Sequence, residues 1–140
     1  MLMRFGLLLI MALASLSIAA QELKLVANVP GGGDIDSEYA VSLIRGENKN
    51  WDGGADAIVV LPSRQSVLHE SVAKQIFSSS GRSMQRRWFQ LVFSGRVNAP
   101  KYLDSDIDVI KYVLENEGAV GIVASDSAAM AGLQTSALSP

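Results

Sequence analysis

Apolar residues along this chain follow two different periods. Residues 23–29, 57–61 and 119–123 are short runs in which apolar positions alternate or are continuous, and Pro30 and Pro62 close the first two. Such runs are typical of strands, and the continuous ones are typical of strands buried on both faces. Between these runs, apolar residues recur three and four positions apart, which is the spacing of one face of a helix.

The helical period predicts four helices between the strands. They cover residues 38–45, a stretch from Ser66 to about residue 78, a stretch from about residue 83 to Gly95, and a stretch that ends before Gly118. Polar side chains that accept hydrogen bonds from free N–H groups stand where the helices start. The candidate caps are Asp36 or Ser37, Ser66, and Asp104 or Ser105. The order β-α-β-α-α-α-β, with an edge strand at 133–138, indicates an α/β domain with a small mixed or parallel sheet flanked by helices.

The first twenty residues have a composition of their own. Arg4 supplies one positive charge, residues 5–16 form an apolar run, and small residues follow as far as Ala20. This pattern is typical of a signal peptide cleaved after Ala19 or Ala20, and the run is shorter than the roughly 20 residues that span a bilayer. We therefore expect an exported protein that does not stay in the membrane. Residues 1–20 are its leader, residues 21–124 its single domain, and residues 125–140 a partly disordered tail.

Composition excludes several kinds of site. The chain has no cysteine and one histidine, so it has neither a disulfide framework nor a thiolate or His-rich metal site. Without Arg4, 14 acidic residues outnumber 11 basic ones, which argues against a nucleic-acid-binding protein. No cofactor or metal is expected. Glu115 and Glu117 point to different faces of a helix, and no other catalytic arrangement emerges, so we expect a protein that is not an enzyme.

Three segments, in their order and spacing, resemble one protein family. They are Leu43-Ile-Arg-Gly46-Glu-x-x-x-Trp51-Asp-Gly53, then Trp88 through Phe93-Ser-Gly95 to Pro100, then Gly118-Ala-Val-Gly121. Together they resemble the phosphate-binding subunits of bacterial ABC importers, and the likeness extends over about residues 41–123. The resemblance implies a three-layer-like single lobe of a type 2 periplasmic binding protein, located in the periplasm.

The resemblance also implies where a ligand would bind. Members of the family carry Arg-x-Asp-Gly-Ser-Gly-Thr at a helix start, where hydroxyls and unpaired N–H groups hold the oxyanion. Here the stretch reads Pro62-Ser-Arg64-Gln-Ser66, so the Asp, the glycine pair and the Thr are missing. The candidate ligand-binding residues are Ser63, Arg64, Ser66 and His69, with His69 contributing when protonated. The alternative is a capped helix with solvated polar residues.

Two charged clusters have alternative interpretations as well. Basic residues with no acid among them occupy the stretch from Gly81 to Leu103, and aromatic residues are interleaved. They are Arg82, Arg86, Arg87, Arg96 and Lys101, with Trp88, Phe89 and Phe93. One interpretation is a surface that binds an anionic partner. The favoured one is an amphipathic helix whose arginines form the solvated face and whose aromatic residues belong to the core. Asp104, Asp106 and Asp108 lack the Gly and Glu of a calcium loop and are better explained as cap and first-turn acids.

The resemblance implies a solute-binding-type domain for phosphate or a similar small oxyanion, associated with ABC-type uptake. One lobe cannot close a cleft on itself, so affinity should be weak unless a homodimer or an envelope protein supplies the opposite wall. The alternative function is an envelope adaptor that keeps the lobe as a scaffold and binds a protein partner.

Overall fold

The computed structural model describes residues 22–128 and 134–137, so the predicted signal peptide and half of the predicted tail lie outside the described residues. In chain order the elements are β1 (Leu23–Ala27), α1 (Ser37–Ile44), β2 (Ile58–Pro62), α2 (His69–Phe77), α3 (Gly81–Phe93), β3 (Lys101–Leu103), α4 (Asp106–Glu115), β4 (Ala119–Ala124), α5 (Ser125–Ala128) and β5 (Gln134–Ala137). Within the described ranges, no helix combines the length and the apolar character needed to cross a membrane.

The five strands form one mixed sheet in the order β3-β2-β4-β1-β5. Strand β2 runs parallel to both β3 and β4, whereas β1 runs antiparallel to β4 and to β5. Because β2, β3 and β4 point the same way, their carboxyl ends meet at one edge of the sheet. Pro62 is paired with Leu103 at that edge.

Side-chain alternation along the strands divides the core into two apolar clusters, one on each face of the sheet. In β2, Val59 and Leu61 belong to the larger cluster and Val60 to the smaller one. The larger cluster includes residues of α1, α2 and α3, while the smaller one includes Val109 and Val113 of α4. Helices therefore cover both faces of the sheet, and the predicted α/β fold with three layers is confirmed.

Trp51 and Trp88, the two tryptophans of the family-like segments, stabilise the connections between elements. Trp51 is buried, and its indole Nε1–H donates to the carbonyl of Gly118, 2.8 Å away, which ties the loop before β2 to the start of β4. Gly118 adopts φ +88°, a left-handed conformation that costs glycine little. The indole of Trp88 on α3 donates to the carbonyl of Ile44 at the end of α1, 3.1 Å away. These residues of the family-like segments therefore stabilise the fold.

The structure differs from the predicted elements in three places. Strand β3 falls in the predicted loop after Pro100, because it is a three-residue edge strand whose Lys101 and Tyr102 are exposed and give no apolar pattern. The four-residue helix α5 was not predicted, and α2 begins at His69 rather than at Ser66. Two of the expected caps are confirmed: Asp36 accepts from the N–H of Tyr39, and Ser105 from that of Asp108.

Candidate functional site

The predicted ligand-binding residues lie at the carboxyl edge of the parallel strands. Ser63 follows β2 directly, and its N–H donates to the carbonyl of Leu103 at 2.8 Å, which extends the pairing with β3. In open α/β sheets, ligands bind in the crevice outside the carboxyl ends of the strands. The loop from Ser63 to Leu68, which leads from this edge into α2, is therefore the part of the fold most suited to a small ligand.

Ser63 is a buried residue whose hydroxyl faces an acid. The hydroxyl donates to Oδ1 of Asp104, the residue that follows β3. It also accepts from the backbone N–H of Gln65 at 3.3 Å, and Oε1 of Gln65 lies 3.2 Å away. Since a hydroxyl has one proton, a ligand oxygen that took this donor would displace it from Asp104. Asp104 is thus a site residue that sequence reasoning missed, because no local pattern shows that β3 brings it beside Ser63.

The turn after Ser63 separates an exposed guanidinium from a buried hydroxyl. Arg64 is exposed, and within the described part of the chain its side chain makes no hydrogen bond or ion pair. Ser66 is buried, and its hydroxyl accepts from the N–H of Leu68 at 3.2 Å. Ser66 therefore closes the turn that precedes α2, and its prediction as the N-cap was wrong: that position is occupied by Leu68.

His69 lies at the first position of α2 with its ring turned away from this turn. Its Nδ1 is 3.0 Å from the carbonyl oxygen of Pro62, which can only accept, so Nδ1 carries the proton. The other edge of the ring packs against Gly81, so closely that an added Cβ there would overlap Cδ2 and Nε2. The structure thus brings Ser63, Arg64 and Ser66 together on one turn, and it places the His69 ring in the junction of α2 and α3.

Among the described residues, no side chain caps the start of α2, although the N–H of its first residue, His69, donates to the carbonyl of Ser66 at 3.2 Å. The N-cap residue is Leu68, which has no side-chain acceptor. The acid of the first turn, Glu70, is directed at the next helix, where its Oε2 accepts the N–H of Gly81 at 3.0 Å. Uncapped first-turn N–H groups carry a partial positive charge and are a favourable place for an anion.

Two of the three aspartates near β3 have structural partners for their carboxylates. Asp104 accepts from Ser63, and Oδ2 of Asp106 accepts from the N–H of Ala124 at 2.9 Å. Asp108 lies in the first turn of α4, which Ser105 caps. Among the described residues, no group of three or more histidines and acids could hold a metal ion.

Partial burial raises the pKa of the nearby Tyr102 hydroxyl above its ordinary value of 10.0, so this phenol is neutral at physiological pH.

A cavity of about 430 Å³ lies near the opposite edge of the sheet, beside the loop that follows β1. Tyr39 and Trp51 contribute to its wall, together with Asp34, Asp36 and Asp52. Three acids at one cavity disfavour a negatively charged ligand by like-charge repulsion. This cavity is therefore not an alternative oxyanion site.

The basic and aromatic cluster on α3 is arranged differently from the favoured prediction. Trp88 is buried, as expected, with 1% of its surface exposed. Phe89 and Phe93, however, are 63% and 76% exposed, so their assignment to the core was wrong. The reason is that Met84 and Trp88 fill the inward side of α3, and the two phenylalanines fall on its outward side together with Arg82 and Arg86.

The fold and this edge site define a small α/β domain with one mixed sheet covered by helices on both faces. No family model matches the chain, and no curated protein matches it significantly. Among solved structures, the chain is similar to the crystal structure of an ABC-type phosphate transport receptor from Vibrio cholerae, with 18% identity and a TM-score of 0.48. The likeness covers 84% of this chain and 45% of the receptor, so the chain spans less than half of that receptor's length. At this identity and TM-score, the likeness carries no argument about function.

Proposed function

We propose that this protein is an exported, periplasmic domain that binds phosphate or a similar small oxyanion in front of α2. The observation that supports the proposal is the uncapped start of α2, together with the turn before it, which carries the Ser63 hydroxyl and an exposed Arg64 whose guanidinium makes no hydrogen bond or ion pair within residues 22–128 and 134–137. Backbone N–H groups and a guanidinium together match the geometry of a tetrahedral oxyanion. The protein acts by binding, without catalysis and without a cofactor.

The proposed ligand carries a proton, because Asp104 is part of the site. A carboxylate only accepts hydrogen bonds, so it repels a fully deprotonated oxyanion and can accept from one that keeps an O–H group. Inorganic phosphate keeps at least one proton at neutral pH, whereas sulfate keeps none. The site is therefore expected to prefer phosphate to sulfate, with Asp104 as the discriminating residue.

Affinity in this site should be low. A single lobe leaves the ligand partly in water, and exposed charge pairs contribute only about 0–1 kcal/mol each. A dissociation constant of about 1 mM, equivalent to roughly −4 kcal/mol, is the expected order of magnitude. A second protein or a second copy that covered the ligand would tighten binding by excluding water. A role in ABC-type uptake would depend on such a partner.

Isothermal titration with phosphate and with sulfate tests this proposal. Arg64→Ala should weaken phosphate binding about 10-fold, the loss expected for one charge-assisted hydrogen bond. Asp104→Asn should remove the preference by letting sulfate bind. Arg96→Ala is the matched control, since Arg96 is also exposed but lies in the loop after α3. The proposal fails if phosphate binds no better than sulfate, or if no heat appears at about 10 mM ligand, ten times the expected constant.

A second candidate function rests on a separate observation. The outward side of α3 exposes two phenylalanines beside two arginines, which a monomer has no evident reason to keep in water. This exposure favours the adaptor, in which the lobe is a scaffold that binds a protein. Substitutions on α3 would abolish such binding and leave phosphate titrations unchanged, which separates the two functions.

A further inference from the structure

Helix α3 carries a continuous exposed row made of two kinds of residue. Arg82, Arg86, Phe89 and Phe93 are separated by four, three and four positions, so they lie on one side of the helix; we call them the α3 stripe. The arginines occupy its amino-terminal half and the phenylalanines its carboxyl-terminal half. The two phenyl rings contact each other, with centroids 4.3 Å apart and planes inclined at 34°.

The α3 stripe has no partner within the described part of the chain. Neither Arg82 nor Arg86 makes a side-chain hydrogen bond or an ion pair there. By contrast, Nε of the next residue, Arg87, donates to the carbonyl of Arg45 at 3.3 Å, so Arg87 belongs to the junction with α1. No acid occurs from Gly81 to Leu103, so nothing on α3 itself neutralises the stripe. It therefore offers cations and aromatic faces to an external surface.

The spacing of the α3 stripe is self-complementary. Its midpoint falls between Arg87 and Trp88, and Arg82 is as far from that point as Phe93, while Arg86 is as far as Phe89. If two copies of α3 pack antiparallel about a twofold axis through this midpoint, every arginine lies opposite a phenylalanine of the other copy. A guanidinium within about 6 Å of a phenyl ring centroid is attracted to its face.

We propose that a second copy of this chain docks on the α3 stripe through such a twofold axis. The interface is isologous, since the same surface is used by both copies, and four arginine–phenylalanine contacts form together. Antiparallel packing also carries the two Arg82 side chains to opposite ends of the interface, where their repulsion is screened. This inference does not depend on the oxyanion site, because the α3 stripe includes none of its residues.

The small size of the surface is typical of a weak dimer. One helix against one helix buries less than the roughly 1,200 Å² of a standard interface, so the dimer is a weak, concentration-dependent one. Exposed Ile107 and Leu114 on α4 offer a competing surface for the stripe, with Asp108 nearby. That alternative is less favourable, since Lys111 lies between the two apolar residues and would face the arginines. It would also join copies head to tail into open chains rather than closed dimers.

Sedimentation equilibrium tests the proposal at protein concentrations from about 10 µM to 1 mM. The chain is purified as it accumulates in the expression host. A monomer–dimer equilibrium with a dissociation constant on the order of 100 µM is expected for an interface of this size. Phe89→Arg puts arginine opposite arginine and should weaken the dimer by at least about 10-fold. The double variant Arg86→Phe/Phe89→Arg restores the opposite pairing and should return the constant to within about 3-fold of the original value. All these positions are exposed, so thermal unfolding should be unchanged.

Two controls and three results decide the matter. Arg96→Ala removes a basic residue outside the α3 stripe, Ile107→Ser removes the competing apolar residue on α4, and both should leave the constant unchanged. A chain that is monomeric at 1 mM overturns the proposal. So does a double variant that stays as weak as Phe89→Arg, because the antiparallel register is then wrong. If Ile107→Ser weakens self-association, or if species larger than dimers form, then the α3 stripe binds α4 of another copy. Either result also overturns the proposal.

Discussion

The contact between α2 and α3 at Gly81 makes one substitution especially informative. Gly81 is the first residue of α3 and lies over the buried ring of His69. A Cβ added to Gly81 would lie 2.6 Å from Oε1 of Glu70, and nearer still to Cδ2 and Nε2 of His69, against 3.4 Å or more for ordinary contact. The ring is held by the carbonyl of Pro62, so it has little freedom to move aside.

Two opposing effects decide the outcome of Gly81→Ala. Alanine is favoured over glycine in a helix by up to about 1 kcal/mol, and by less at the first position. Overpacking a well-filled contact costs about 1–3 kcal/mol, and here the ring and a carboxylate must both shift. We therefore expect a net destabilisation of about 1–2 kcal/mol, which lowers the melting temperature of a domain of this size by about 5–10 °C.

Thermal and urea unfolding followed by circular dichroism measure this effect, and a double-mutant cycle with His69→Ala identifies its cause. Once the ring is gone, only the flexible Glu70 carboxylate must move aside, so Gly81→Ala should then be close to neutral. The coupling between the two positions should therefore exceed about 1 kcal/mol. A higher melting temperature for Gly81→Ala alone, or additive effects of the two substitutions, would refute the reasoning.

Three further predictions concern the rest of the chain. Trp51→Phe removes the indole donor from the carbonyl of Gly118, which still accepts from the N–H of Ile58 at 3.0 Å, so urea unfolding should show a loss of about 1 kcal/mol. Ser105→Ala removes the cap on the N–H of Asp108 and should cost about 1 kcal/mol; Ser105→Asp, which can cap, should be close to neutral in the same assay. Expression with the native amino terminus should yield a product whose intact mass starts after Ala19 or Ala20, and an uncleaved product would contradict the signal peptide.

Sequence periodicity was sufficient for the parts of the fold that are locally encoded. The continuous apolar runs became β2 and β4, because both of their faces are covered by helices. Asp36 and Ser105 cap their helices because capping depends on residues three positions apart. Strand β3 escaped prediction because its existence depends on pairing with β2, a contact between residues about 40 positions apart.

The site was less accessible to prediction than the fold for the same reason. Ser63 and Arg64 could be selected because the family resemblance matches their stretch to a binding loop that runs into a helix. The partner of the Ser63 hydroxyl, Asp104, is 41 residues away, and no local sequence pattern indicates their contact. Phe89 and Phe93 were assigned to the core because the aromatic residues were expected to form the buried stripe of an amphipathic helix. Their exposure is decided by which side of α3 Met84 and Trp88 fill, and that depends on tertiary packing.

The position of β1 in the sheet has a consequence for how the molecule is made. This strand begins the described chain, yet its sheet neighbours β4 and β5 lie in the last quarter of the sequence. During synthesis, β1 has no strand to pair with until about 100 further residues have been added. Folding that depends on such distant pairings is slow, because the closure of long loops precedes the gain from contacts. The sheet therefore stays incomplete, with β1 lacking a partner strand, until β4 has been synthesised.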